Sequence, residues 1–180
     1  MFAETREQMK ETDRKFAENQ EQQRIRSAEL DRLIKANAQQ IGGIDKSLGE
    51  MTEEAIYNAL SNDMIFAGIE FYDIDRNKKR KRKKINLEGE FDFVLINGDT
   101  VAIIEAKHKV KTRHLSELVS NKVGDYRILF PEYKNHKIIL GIGGMCFDEG
   151  VEKEAKEKGV VIIKVVGEKV EFYTNNIKTY

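Results

Sequence analysis

The sequence predicts an α/β fold, a mixed β-sheet flanked by helices, preceded by a long N-terminal helix. Three observations predict it. Residues 1–41 hold no Pro and no Gly and are rich in Glu, Gln, Lys, Arg and Ala, a composition that favours helix at nearly every position. Two apolar runs, "KIILGI" at 137–142 and "VVIIKVV" at 160–166, read as strands covered on both faces. The segment from Glu90 to Lys107 reads as two strands joined across "NGD", a strong hairpin signal.

Taken in order, the N-terminal segment carries a heptad pattern. Phe2, Met9, Phe16, Leu30, Ile44 and Met51 fall on one seven-residue register, and Ile34, Ile41 and Leu48 on its companion. Such a seam predicts a coiled coil between chains, hence a homodimer or higher oligomer. Gly42-Gly43 reads as an interruption or hinge, because glycine weakens helix interiors. The chain therefore divides into a coiled-coil helix over 1–44 and a globular domain over 45–180. In that domain a second helix is expected from Asp45 to Leu60, and a strand from Phe66 to Ile74. After the hairpin, Leu115 to Phe130 places Leu115, Leu118, Val119, Val123, Tyr126 and Phe130 on one helical face, stopped by Pro131. Glu149 to Lys158 reads as a short charged helix ended by Gly159, and "KVEFYT" at 169–174 as a last, weaker strand.

Composition narrows the function. The chain has 31 basic and 31 acidic residues, so no global field draws it to nucleic acid. The charges are segregated, however: "RNKKRKRKK" at 76–84 holds eight basic residues in nine positions. A single cysteine excludes an intramolecular disulfide and fits a reducing, cytoplasmic setting. Three scattered histidines with that one cysteine exclude a zinc cluster of the usual spacing, and no apolar run is long enough for a membrane span.

The hairpin holds the chemistry. Side chains alternate along a strand, so Val101, Ile103, Glu105 and Lys107 share one face. A turn at Gly98-Asp99 sets Asp92 opposite Glu105; a turn at Asn97-Gly98 sets Glu90 there, with Asp92 diagonal. Either register gathers carboxylates and one ammonium on one face. Carboxylates so close repel unless a cation sits among them, and oxygen ligands point to magnesium or manganese. The plainer alternative is a solvent-facing sheet with Lys107 salt-bridged to Glu105 or Asp92. Against it, "FDFVLI" and "VAIIEA" are too apolar for a sheet with one open face.

"GEFDFVLINGDTVAIIEAKHK" resembles the signature of the PD-(D/E)XK nuclease superfamily, an acidic residue on one strand and E-x-K on the next. "LGEMTEEAIYNAL" supplies Glu53 at the acidic position of that superfamily's first helix. The whole layout is similar to bacterial proteins that join a coiled-coil head to such a domain. One departure is plain: Phe91, not proline, precedes Asp92. The resemblance implies a restriction-endonuclease-like core and magnesium-dependent (or manganese-dependent) phosphodiester hydrolysis. In that scheme Glu53, Asp92, Glu105 and Lys107 are the catalytic set. Asp92, Glu105 and the carbonyl of Ala106 ligate the metal, Glu53 reaches it through water, and Lys107 orients the attacking water.

The basic run reads as a mobile loop tip that clamps phosphate through Lys78, Lys79, Arg80, Lys81, Arg82, Lys83 and Lys84, with Lys122 reaching substrate from the following helix. "GIGGMCFDEG" lacks the lysine and hydroxyl of a phosphate loop and reads as a tight strand-to-helix turn, with Cys146 a small buried filler. The expected function is a metal-dependent endonuclease acting on DNA. Its rivals are a non-catalytic nucleic-acid-binding module and a coiled-coil scaffold on the same fold.

Overall fold

The computed structural model describes the backbone from Phe2 to Tyr180, and side chains at 11, 14, 15, 18, 22–30 and 32–180. Contacts divide the chain into two units, Met1–Lys46 and Ser47–Tyr180. The first is helical throughout, within α1 (Phe2–Asp63). The expected hinge is absent: Gly42 and Gly43 lie inside α1, among strong helix formers that carry the helix through two weak positions. Ile25, Leu30, Leu33, Ile34, Ile41 and Ile44 are each more than half exposed. The side chains of Phe2, Met9 and Phe16, named for the same seam, lie outside the described residues.

The second unit is a mixed six-stranded sheet flanked by helices. After the C-terminal part of α1 come a two-residue hairpin, β1 (Ile65–Phe66) with β2 (Ile69–Glu70), and then β3 (Asp73–Arg82), β4 (Leu87–Ile96) and β5 (Thr100–Ala106). A short strand β6 (Lys109–Val110) leads into α2 (Thr112–Glu117), a π-helical turn over Leu118–Lys122, and α3 (Val123–Leu129). The chain closes with β7 (Lys137–Gly144), β8 (Cys146–Phe147), α4 (Val151–Glu157), β9 (Val161–Val166) and β10 (Lys169–Tyr173). The sheet order is β10-β9-β7-β5-β4-β3, with β5, β7 and β9 parallel and the outer pairings antiparallel.

Central strands buried on both faces explain the apolar runs. One core gathers Val94, Val101, Ile103, Leu115, Leu118, Tyr126 and Leu129 beneath α2 and α3. The other packs Ile56 and Leu60 of α1 on Phe93, Leu95, Ala102 and Ile104. Alternation along β5 feeds both cores in turn, so that one strand seats helices on each side.

Three local expectations are corrected. The basic run is a strand, not a loop tip: β3 starts at Asp73 and pairs with β4 as far as Arg82↔Leu87, and the turn is formed by Lys83–Ile85 and a left-handed Asn86. The register explains this, because Lys79 and Lys81 face Glu90 and Glu88 across the ladder, and each makes an ion pair there. β3 is also an edge strand, where lysines protect unpaired backbone from edge-to-edge association. Gly141, Gly143 and Gly144 are in β7 rather than in a turn, and a Cβ at Gly143 would stand 2.4 Å from Ile56 Cδ1. Cys146 is exposed on β8 rather than buried.

β3 and β4 also roll over midway. Arg76↔Phe93 and Lys78↔Phe91 keep one register, yet Asn77 between them has φ 53°. Arg76 reaches Glu54 and the Tyr57 ring on the α1 side, whereas Lys78 lies over Phe130 and Tyr133 on the α3 side. Phe93 and Phe91 part in the same way between the two cores. Asp92 sits at this crossing.

Candidate active site

The hairpin turn fixes the site's register. Asn97 Oδ1 accepts from Asp99 N at 3.3 Å and Thr100 N at 3.0 Å, while its Nδ2 donates to Glu70 O at 2.9 Å. With Asn97 so held, Gly98-Asp99 forms the tip and Ile96 pairs with Val101. Continued down the ladder, this register sets Asp92 opposite Glu105. The last backbone pair is Phe93↔Ile104, and one step beyond it the side chain takes over. Asp92 Oδ2 accepts from Ala106 N at 2.8 Å and from Lys107 Nζ at 3.2 Å. Lys107 Nζ also stands 3.7 Å from Glu105 Oε2, and Lys107 N donates to Gly143 O at 2.9 Å, so β7 anchors the backbone beneath. Asp92 and Glu105 are 8% and 7% exposed, an unusual burial for two carboxylates on adjacent strands.

Lys122 completes the cluster from the π-helical turn. Its Nζ is 2.8 Å from Glu105 Oε1, lies 4.9 Å from the Phe91 ring centroid, and donates to Glu90 O. At that distance the ammonium and Oε1 form an ion pair, so this oxygen of Glu105 is held by Lys122. An extra residue in the helical turn aims Lys122 at the sheet, the kind of irregularity that collects at functional sites. Asp92, Glu105, Lys107 and Lys122 line one cavity of about 230 Å³ with Glu90, His114, Glu117 and Leu118. That volume admits a hydrated ion beside a phosphate group. His114 and Glu117 are lining residues the sequence did not single out; the spacing His114, Leu118, Lys122 (four residues each) is the signal that puts this side of the helix on the cavity.

The electrostatics follow from crowding. Burial, and then the negative charge of Asp92, push the Glu105 carboxyl above the usual range, against the pull of Lys122 and Lys107. Burial alone would lower Lys107, but Asp92, Glu105 and Glu53 together hold its ammonium above 10.5. Glu53, on α1, does not line the cavity. It lies within electrostatic range, however: burial and Asp92 raise its pKa, while Lys107 and Arg76 oppose them.

The donor set suits magnesium in part. Among the described residues no three His, Cys, Asp or Glu side chains group closely enough to enclose an ion alone. Magnesium seldom needs such a cage, since one or two carboxylates with waters and substrate oxygens serve it. Asp92 and Glu105 supply two carboxylates, whose oxygens are paired with the Lys107 and Lys122 ammonium groups that such an ion would have to displace.

The basic strand is largely spent on the protein itself. Lys78 pairs with Asp75, Lys79 with Glu90, Arg80 with Glu132 and Lys81 with Glu88, while Arg80 and Arg82 both donate to Leu129 O. Lys83 and Lys84 are exposed on the turn, with no ion pair among the described residues.

No family model and no curated protein matches this chain. Among solved structures it is similar to the crystal structure of a repair endonuclease from Pyrococcus abyssi, with 18% identity and a TM-score of 0.45. The likeness covers 63% of this chain and 46% of that one, so the chain spans under half of that protein's length. Among the described residues, no helix is long and apolar enough to cross a membrane.

Proposed function

We propose that this protein is a magnesium-dependent endonuclease of PD-(D/E)XK type acting on DNA, with manganese able to replace magnesium, and that α1 pairs two copies through its heptad seam. The observation that carries the reading is the meeting of Asp92, Glu105 and Lys107 in one open cavity at the point where β4 and β5 separate. Asp92, Glu105 and the Ala106 carbonyl are assigned to the metal, with Glu53 behind them. A bound cation supplies Lewis-acid activation of water and offsets the phosphodiester's charge. Lys107, already held between both carboxylates, orients the attacking water and faces the charge that grows on the phosphoryl oxygens. The water oxygen bonds to phosphorus, one bridging P–O bond breaks, and the leaving oxygen takes a proton.

The test is cleavage of supercoiled plasmid in magnesium. Lys107→Ala should still bind the ion yet lose cleavage by about a hundredfold or more, as expected for one well-placed transition-state charge. Asp92→Ala should lose both. Equal cleavage by wild type and Lys107→Ala refutes the assigned site. One observation favours a second reading, a nucleic-acid-binding module without catalysis: two ammonium groups already neutralise the two carboxylates. Salt-sensitive duplex binding with no cleavage in either metal selects that reading.

A further inference from the structure

The segment running out of β5, "KHKVKTRH" at 107–114, carries the positive charge that β3 does not offer. Lys107 and His114 line the cavity, and Lys109 is bound to Asp148 at 2.9 Å. Lys111 and Arg113 are exposed and make no ion pair among the described residues. His114 feels them: burial first, and then Arg113, Lys107 and Lys111, lower its pKa, with Glu117 in opposition.

Its hydrogen bonds then contain a conflict. Lys111 N–H points at Nδ1 from 3.2 Å, and Arg113 Nε–H points at Nε2 from 3.3 Å. Neutral or protonated, an imidazole has at most one acceptor nitrogen, so at least one of these contacts sets two donors face to face. With Nδ1 taken by the backbone, the proton sits on Nε2 and confronts the guanidinium. An anionic oxygen between them would satisfy both donors.

We infer that Lys111, Arg113 and His114 form a phosphate-binding rim, so that the nucleic-acid backbone approaches the cavity over residues 107–114 rather than along the basic strand β3. The inference rests on the nucleic-acid reading above and adds the surface that makes the contact. Phosphate contacts of this kind give affinity and register without sequence preference.

The experiment measures binding of a short labelled duplex to the full chain by fluorescence anisotropy, in metal-free buffer, across a salt series. The doubly substituted Lys111→Ala, Arg113→Ala chain should bind about tenfold more weakly and lower the slope of log K against log salt by about 1–2. Lys79→Ala with Lys81→Ala should change affinity by less than about twofold, since those charges are already paired. Lys111→Arg with Arg113→Lys should keep wild-type binding because both charges remain, and an unchanged melting temperature of the alanine pair separates lost contact from lost fold. Wild-type affinity in the first variant, or an equal loss in the second, overturns the inference alone. A wild-type chain that binds no duplex at any salt overturns the nucleic-acid reading and this rim with it.

Discussion

Replacing Lys122 by methionine should tighten magnesium binding. The ammonium stands 2.8 Å from Glu105 Oε1, where a cation would bond. At an effective dielectric of about 20, two unit charges at that distance attract by about 6 kcal/mol. Most of this is cancelled, because the released ammonium is hydrated and the incoming ion must desolvate the same oxygen. A net of about 1.5–3 kcal/mol remains, the range for a bond to a charged group. Removing the competitor should therefore lower the magnesium dissociation constant by about ten- to a hundredfold. Methionine keeps the aliphatic stem over Phe91 while deleting the charge. The variant should also melt lower without metal, since Glu105 loses its nearest cation, and should recover with magnesium. Isothermal titration at pH 8 reads the affinity. A variant that binds magnesium no more tightly than wild type refutes the competition argument.

Three further outcomes are expected. Acidification should weaken magnesium binding at a pH above the 4.5 of an ordinary glutamate, because Glu105 must ionise to ligate; the same raised pKa means the metal-free fold loses stability as pH rises through it, whereas the stabilising share of Lys107 persists until pH climbs past its own raised value above 10.5. Calorimetry and melts across pH check both signs. Sedimentation should show a dimer at micromolar concentration, and Ile34→Asn with Ile41→Asn should give monomers, because each isoleucine is more than half exposed on a single helix. Gly143→Ala should cost about 1–3 kcal/mol in denaturant unfolding, since its Cβ would stand 2.4 Å from the Ile56 side chain that seats α1 on the sheet.

The hairpin was legible because strand alternation is rigid: once Glu105 and Lys107 share a face with Val101 and Ile103, burial of the strand brings the charges with it. The choice between two turn registers was not legible. It depends on Asn97 bonding to Glu70, a residue outside the hairpin. The basic strand was illegible for a related reason. Like charges in a row repel when read alone, and the carboxylates that relieve them, Glu88 and Glu90, become neighbours only through the ladder. Glycines in β7 mislead in the same way, because what excludes a side chain there is Ile56, Ile104 and Phe66 from other elements.

These misreadings share a cause that bears on the site. The same ladder that neutralises Lys79 with Glu90 is interrupted at Asp92, where Asn77 turns over and the two cores exchange β4 side chains, and resumes in the same register. Beyond that crossing β5 no longer bonds to β4 through backbone alone; the Asp92 carboxylate takes the Ala106 N–H instead. A carboxylate used as a backbone acceptor is fixed in place by the sheet, with its position independent of loop motion. Glu105 is held differently, by burial and by its ion pairs to Lys122 and Lys107. One acid is therefore tied to the backbone, the other to two side chains. That asymmetry makes Glu105 the acid whose partner a cation can replace, without disturbing the backbone bond that holds Asp92.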